Sequence, residues 1–161
     1  MKKVLDNNLT LYFNNIFPKV YTFSSKKRYT VVVGLGGNIG DVSKRFKTLI
    51  KVWQKDSRVT LLQTSPLLKN PPFGYTFQDD FINSVVVLKT NLSAKEFLRF
   101  TQRYEKRFKR ERSFKDAPRT LDIDIIFFDN YKIDTKELTI PHKEYKKRDS
   151  VMIPLKYIKR I

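Results

Sequence analysis

Hydrophobic positions recur along this chain with two periods, and the switches between them mark its elements. Residues 29–35 are mostly β-branched and read as a strand. Residues 36–41, with three glycines, read as a turn. Asp41 suits a helix N-cap, and Val42, Phe46, Leu49, Ile50 and Trp53 follow at helical spacing. Residues 58–64 predict a second strand and residues 81–88 a third. The connection between them, 65–80, is long and carries Pro71-Pro72-Phe73-Gly74. Connections of this length are often lids or binding loops. Phe73, Tyr75 and Phe77 could flank a planar ligand there.

The clearest helix begins after Ser93. Ser93 and Glu96 have the spacing of a capping box, and Leu92 and Phe97 that of a hydrophobic staple. Phe97, Leu98, Thr101, Tyr104 and Phe108 make its buried stripe, while Gln102 and Glu105 share another face. A basic stretch follows, then an apolar run over residues 117–128 that reads as a strand. The order strand, helix, strand, strand, helix, strand predicts an α+β fold. Its expected form is a ferredoxin-like sandwich with a βαββαβ core, helices lying on one face of a mostly antiparallel sheet. Residues 1–28 show no clear period and are expected to be an N-terminal extension, with a short helix around Leu11, Tyr12 and Ile16. The domain proper is expected to span residues 29–161. Residues 138–155 are expected to be loop with one short helix near 143–147.

Composition narrows the chemistry. The 161 residues suffice for one domain with its own core. Lys and Arg number 33 against 16 Asp and Glu, a net charge of +17. That balance favours polyanionic partners, although a generally basic proteome gives the same balance. There is no cysteine, which excludes disulfides, thiolate metal sites and thiol catalysis. No apolar run approaches the roughly 18 residues of a membrane helix. The first residues break their apolar stretch too early for a secretion signal. A cytoplasmic protein without a membrane partner is expected.

The strongest chemical signal lies in the run 117–128. Asp122 and Asp124 are two apart on a strand and therefore point the same way. Two like charges on one face call for a cation, and Mg²⁺ completed by phosphate oxygens is the usual one. Arg110, Arg112 and Arg119 flank the pair, and guanidinium forks match phosphate oxygens. Carboxylates and arginines around a metal suit phosphoryl transfer. The turn at Gly36 lacks the Gly-Lys-Ser/Thr ending of a P-loop. With Ile39 at the third glycine position, it is no dinucleotide fingerprint either. His142 is the single histidine, so no transition-metal site can be built on imidazoles, and a phosphate or ribose contact is its candidate role. A basic RNA-binding module of the same shape would also explain the charge, but its aromatic strand signature is absent.

Several ordered blocks together resemble the hydroxymethyldihydropterin pyrophosphokinase family of folate biosynthesis. They are residues 34–41, Pro71-Pro72-Phe73-Gly74, Asp80-Phe81-Ile82-Asn83, residues 118–124 and residues 138–142. The resemblance implies transfer of the pyrophosphoryl group of ATP to the hydroxymethyl group of a reduced pterin, releasing AMP. Its substrates would be small molecules, with no nucleic-acid partner, and the enzyme a monomer. By position, Asp122 and Asp124 would hold two Mg²⁺ ions, and Arg110 and Arg119 would stabilise charge on the phosphates. Gln102, Glu105, Arg112, Ile125, Thr139, His142 and Arg148 would line the ATP site. Asn83 would read the pterin edge and Phe81 would stack on its ring, beside Pro71, Pro72 and Phe73. Three positions, in two places, depart from the family pattern. Asp116-Ala117 replaces Trp-Gly before Pro118, and Ser150 replaces an aromatic two residues after Arg148. One wall of the pterin site is then missing or is supplied by Phe73 or Phe77.

Overall fold

The computed structural model describes residues 1–110 and 114–159. Three short strands come first: β1 (Lys2–Val4), β2 (Thr10–Tyr12) and β3 (Lys19–Val20). Then follow β4 (Tyr29–Gly37), α1 (Val42–Lys55), β5 (Val59–Thr64), β6 (Leu67–Asn70), β7 (Phe81–Thr90) and α2 (Ala94–Arg107). The chain continues with β8 (Asp122–Phe128), β9 (Ile133–Asp134), β10 (Thr139–Ile140), a 3₁₀ turn (Tyr145–Lys147) and α3 (Asp149–Leu155).

The main sheet runs β1-β2-β6-β7-β4-β8, with β5 beside β7 and β3 beside β5. Every pairing in it is antiparallel. The expected α+β sandwich is therefore present, with β4, α1, β5, β7, α2 and β8 as its βαββαβ core. α1 and α2 bury Phe46, Leu49, Ile50, Trp53, Phe97 and Phe100 against Val31, Val33 and Leu35 of β4. α3 covers the opposite face, where Val151 joins Val32, Leu62, Val85, Val87 and Ile126. The helices are thus divided between two faces rather than gathered on one.

α2 starts as its sequence dictates. Glu96 N donates to Ser93 Oγ at 3.2 Å and Ser93 N donates to Glu96 Oε1 at 2.8 Å, closing the capping box. Its buried stripe differs from the expected one. Ala94 and Phe100 are buried, whereas Leu98 and Phe108 are only half-buried. Glu105, expected to share a face with exposed Gln102, is also buried.

Three further corrections concern irregular segments. No helix forms around Leu11; β2 buries Leu11 and leaves its neighbours half-exposed, the alternation of a strand. Leu11 and Phe17 are both fully buried, so the first 28 residues contribute to the core. Gly36 and Gly37 belong to β4 instead of a turn, because β7 pairs with both and β8 with Gly36. The tail folds one helix more than expected, α3, with Pro154 near its C-terminal end.

Candidate active site

The period of β8 sends Ile123 and Ile125 into the helix-covered core and leaves Asp122 and Asp124 on the other face. The neighbouring strands complete that face. Gly36 is opposite Asn83 on one side and Asp122 on the other, and Gly34 is opposite Asp124. Cross-strand partners share a face, so two glycines form a floor between an amide and two carboxylates. A Cβ on Gly36 would lie 2.7 Å from Asn83 Oδ1 and 3.9 Å from Asp122 Cβ. Only glycine leaves this ground open.

The end of α2 delivers Arg110. Lys109 takes a left-handed conformation (φ 64°), its N donates to Lys106 O, and Arg110 N donates to Glu105 O. This is a Schellman closure, and it folds Arg110 back beside Glu105. Arg110 Nη1 then donates to Glu105 Oε2 at 2.6 Å and to Asp122 Oδ1 at 2.7 Å. Glu105 Oε2 also accepts from Ile123 N at 2.9 Å. Side-chain exposures of 12% for Arg110, 7% for Glu105 and 17% for Asp122 put this group largely out of water. Burial raises the Glu105 carboxyl, while the N–H of Ile123 and the charge of Arg110 pull it down.

Arg119 reaches Asp122 from the other side, Nη1 to Oδ2 at 3.5 Å, with its guanidinium 5.3 Å over the Phe81 ring. Asn38 fixes its backbone: Arg119 N donates to Asn38 Oδ1 at 2.9 Å, and Asn38 N donates to Arg119 O at 3.0 Å. Among the described residues, no arginine makes such an ion pair with Asp124. Burial and the charge of Asp122 push its carboxyl above the ordinary range, and Arg148 opposes them. His142 Nε2 lies 4.0 Å from Asp124 Oδ2. Burial and then Arg148 push the His142 imidazole below its ordinary value.

Among the described residues, two cavities open on this group. The larger, about 960 Å³, lies between α2 and β8 and includes Gln102, Glu105, Arg110, Ile125 and Thr139. The smaller, about 210 Å³, lies over the glycine floor and includes Asn70, Pro71, Pro72, Phe73, Phe81, Asn83, Arg119 and Arg148. Asp122, Asp124 and His142 line both.

Most sequence-derived candidates therefore converge. Gln102, Glu105, Ile125, Thr139 and His142 share the larger cavity. Pro71, Pro72, Phe73, Phe81 and Asn83 share the smaller. Arg148 borders the smaller cavity rather than the larger, its guanidinium 5.0 Å over the Phe73 ring. Arg112 lies outside the described residues. Tyr75 and Phe77 stand away from both cavities. Phe77 is 85% exposed, and Tyr75 meets Phe114 edge-on at 5.1 Å. Gly34, Gly36 and Asn70 are not among the site residues that the sequence predicts. Only strand register could reveal the glycines; Asn70, directly before Pro71-Pro72, carried a weak signal by position.

A family model described as 7,8-dihydro-6-hydroxymethylpterin-pyrophosphokinase matches residues 32–160. The chain belongs to this pyrophosphokinase family. Among its relatives is the 2-amino-4-hydroxy-6-hydroxymethyldihydropteridine pyrophosphokinase of Campylobacter jejuni. That protein is 44% identical over 128 residues, 80% of this chain and 82% of the relative. The protein of the same description from Helicobacter pylori is 40% identical over 157 residues, 96% of this chain and 92% of the relative. That alignment takes in most of the first 28 residues. A Bacillus subtilis protein of the same description is 34% identical over 123 residues, 76% of this chain and 74% of the relative.

The donor set of this pyrophosphokinase fits a hard divalent cation. Asp122 and Asp124 are oxygen donors on one face, and their mutual repulsion is what such an ion relieves. Among the described residues, no group of three or more His, Asp or Glu gathers to enclose a metal. Two carboxylates that leave the rest of the shell to water and phosphate match Mg²⁺. Arg110 Nε and Arg148 Nε are buried donors without an acceptor among the described residues, which suits both to anionic oxygens. Among the described residues, no helix is long and apolar enough to cross a membrane.

Proposed function

We propose that the two cavities are the two substrate sites of one pyrophosphoryl transfer, ATP in the larger and the pterin in the smaller. The chain is a diphosphotransferase of folate biosynthesis that moves the pyrophosphoryl group of ATP to hydroxymethyldihydropterin. One observation carries the placement: Asp122, Asp124 and His142 form the wall common to both cavities. Among the described residues, this is the wall at which reacting groups from either side meet.

In this reading the pterin hydroxyl oxygen bonds to the β-phosphorus of ATP. The bond from that phosphorus to the α,β-bridging oxygen breaks, AMP leaves with the electron pair, and the hydroxyl proton is released. Little covalent chemistry falls to the protein, so positioning and charge do the work. Asp122 and Asp124 would hold Mg²⁺, two ions in this reading, which when bound neutralises phosphate charge. Arg110 and Arg119 already bracket Asp122 and present cations to both cavities. Phe81 and Phe73 offer apolar faces to the pterin ring, and Asn83 offers its amide to the ring edge. Gln102, Thr139 and His142 contribute polar groups to the nucleotide side, with Ile125 as an apolar contact. Arg112 joins that side by its place in the sequence, and Arg148 serves the smaller cavity, over Phe73. The enzyme acts as a cytoplasmic monomer on small molecules, without a nucleic-acid partner.

Product analysis tests this. Incubation with ATP, Mg²⁺ and the hydroxymethyl pterin should yield AMP and a pterin diphosphate in equal amounts. ADP as the nucleotide product would overturn the mechanism.

A further inference from the structure

Asn83, over the glycine floor, is held by a second amide. Its Nδ2 donates to Asn70 Oδ1 at 2.6 Å. The two residues are diagonal neighbours across antiparallel strands, since Leu68 is opposite Asn83 and Asn70 opposite Phe81. Asn70 is itself fixed, because its Nδ2 donates to Pro71 O at 3.0 Å. A carbonyl accepts only, so that bond settles which end of the Asn70 amide faces outward. Asn70 must then present Oδ1 to Asn83, and Asn83 must answer with Nδ2. The consequence is polar: Asn83 Oδ1 is left over the floor, 2.7 Å from where a Gly36 Cβ would stand.

We infer that Asn70 is a positioning residue for pterin recognition, holding the Asn83 amide so that its carbonyl oxygen faces the ligand. An asparagine amide is nearly symmetric in shape but opposite in polarity at its two ends. Without an anchor, a flipped amide would set N–H groups against the ligand edge. The amino-pyrimidine edge of a pterin carries N–H donors, which need an acceptor. The relay from Pro71 through Asn70 to Asn83 supplies that acceptor before the ligand arrives. It also ties the Pro71-Pro72 segment, which borders the same cavity, to the group that reads the ring. This inference rests on the pterin placement proposed above.

A double-mutant cycle tests it. Affinity for the hydroxymethyl pterin is measured by titration for wild type, Asn83→Ala, Asn70→Ala and the double variant, with melting temperatures alongside. Asn70→Leu is added to keep bulk at the position without polarity. Asn70→Ala and Asn70→Leu should each weaken pterin binding about tenfold, the scale of one misplaced hydrogen bond. The KM for ATP should stay unchanged. The double variant should bind no more weakly than Asn83→Ala, because Asn70 acts only through Asn83. Independent, multiplying effects of the two alanines would overturn the inference, as would wild-type affinity in both Asn70 variants. Wild-type affinity in Asn83→Ala would instead overturn the pterin placement itself.

Discussion

Asn83 and Asp122 pair with the same residue, Gly36, from opposite sides of β4. The proposed ring-reading amide and the proposed metal ligand thus occupy one row of the sheet, a single strand apart. Their spacing is set by the ladder, about 10 Å across two strand intervals. A substrate bridging them is aligned by the sheet rather than by a flexible loop.

Gly36→Ala should separate the two halves of the site. The new methyl group would lie 2.7 Å from Asn83 Oδ1 but at ordinary contact distance from Asp122 Cβ. Pterin affinity should fall at least tenfold, whereas nucleotide affinity should change little. Titration of each substrate against the variant checks this, with circular dichroism as the control for folding.

Asp122→Ala and Asp124→Ala should each lower kcat by about a hundredfold or more, the scale of losing a charge-stabilising group in a water-poor site. Both side chains sit on the cavity face of β8 rather than in the helix-covered core, so the fold should survive. Steady-state rates over an Mg²⁺ series check the assignment. A variant whose rate matched wild type would remove that residue from the metal site.

Asp56 makes stability depend on acid. Arg58 clamps its carboxylate with two side-chain bonds, Nε to Oδ1 at 2.9 Å and Nη2 to Oδ2 at 2.7 Å. Tyr104 Oη donates to Oδ2 at 2.6 Å. The Arg58 guanidinium, before any other cause, holds the Asp56 carboxyl well below the usual carboxylate range. A depressed folded value means the contribution is complete above the unfolded value of about 3.9 and is lost as pH falls below it. Urea midpoints at about pH 6 and pH 3 should therefore differ less in Asp56→Asn than in wild type.

Phe17→Ala should cost about 3–5 kcal/mol of unfolding free energy. Phe17 is fully buried and its ring lies 6.2 Å from that of Phe46 on α1. Urea denaturation of the purified variant checks the value. A loss below 1 kcal/mol, on the scale of a surface substitution, would mean that the first 28 residues dock without supporting the core.

The amino-acid sequence by itself determined the parts that depend on local rules. The two-residue period of a strand put Asp122 and Asp124 on one face. Ser93 and Glu96 closed their capping box because both partners lie within one turn. The helix of Phe46 and Trp53 followed from the 3.6-residue period. Tertiary structure alone decided what depends on register and on irregular backbone. Gly36 became a floor only when β7 and β8 paired on either side of it. Arg110 reached Asp122 through a left-handed Lys109, a conformation that residue type does not announce. β1, β2 and β3 span two or three residues each, too short for any period to show; β2 and β3 form on the open edges of β6 and β5, and β1 forms on β2. Periodicity is written into neighbouring residues, whereas cross-strand juxtaposition is a property of segments tens of residues apart.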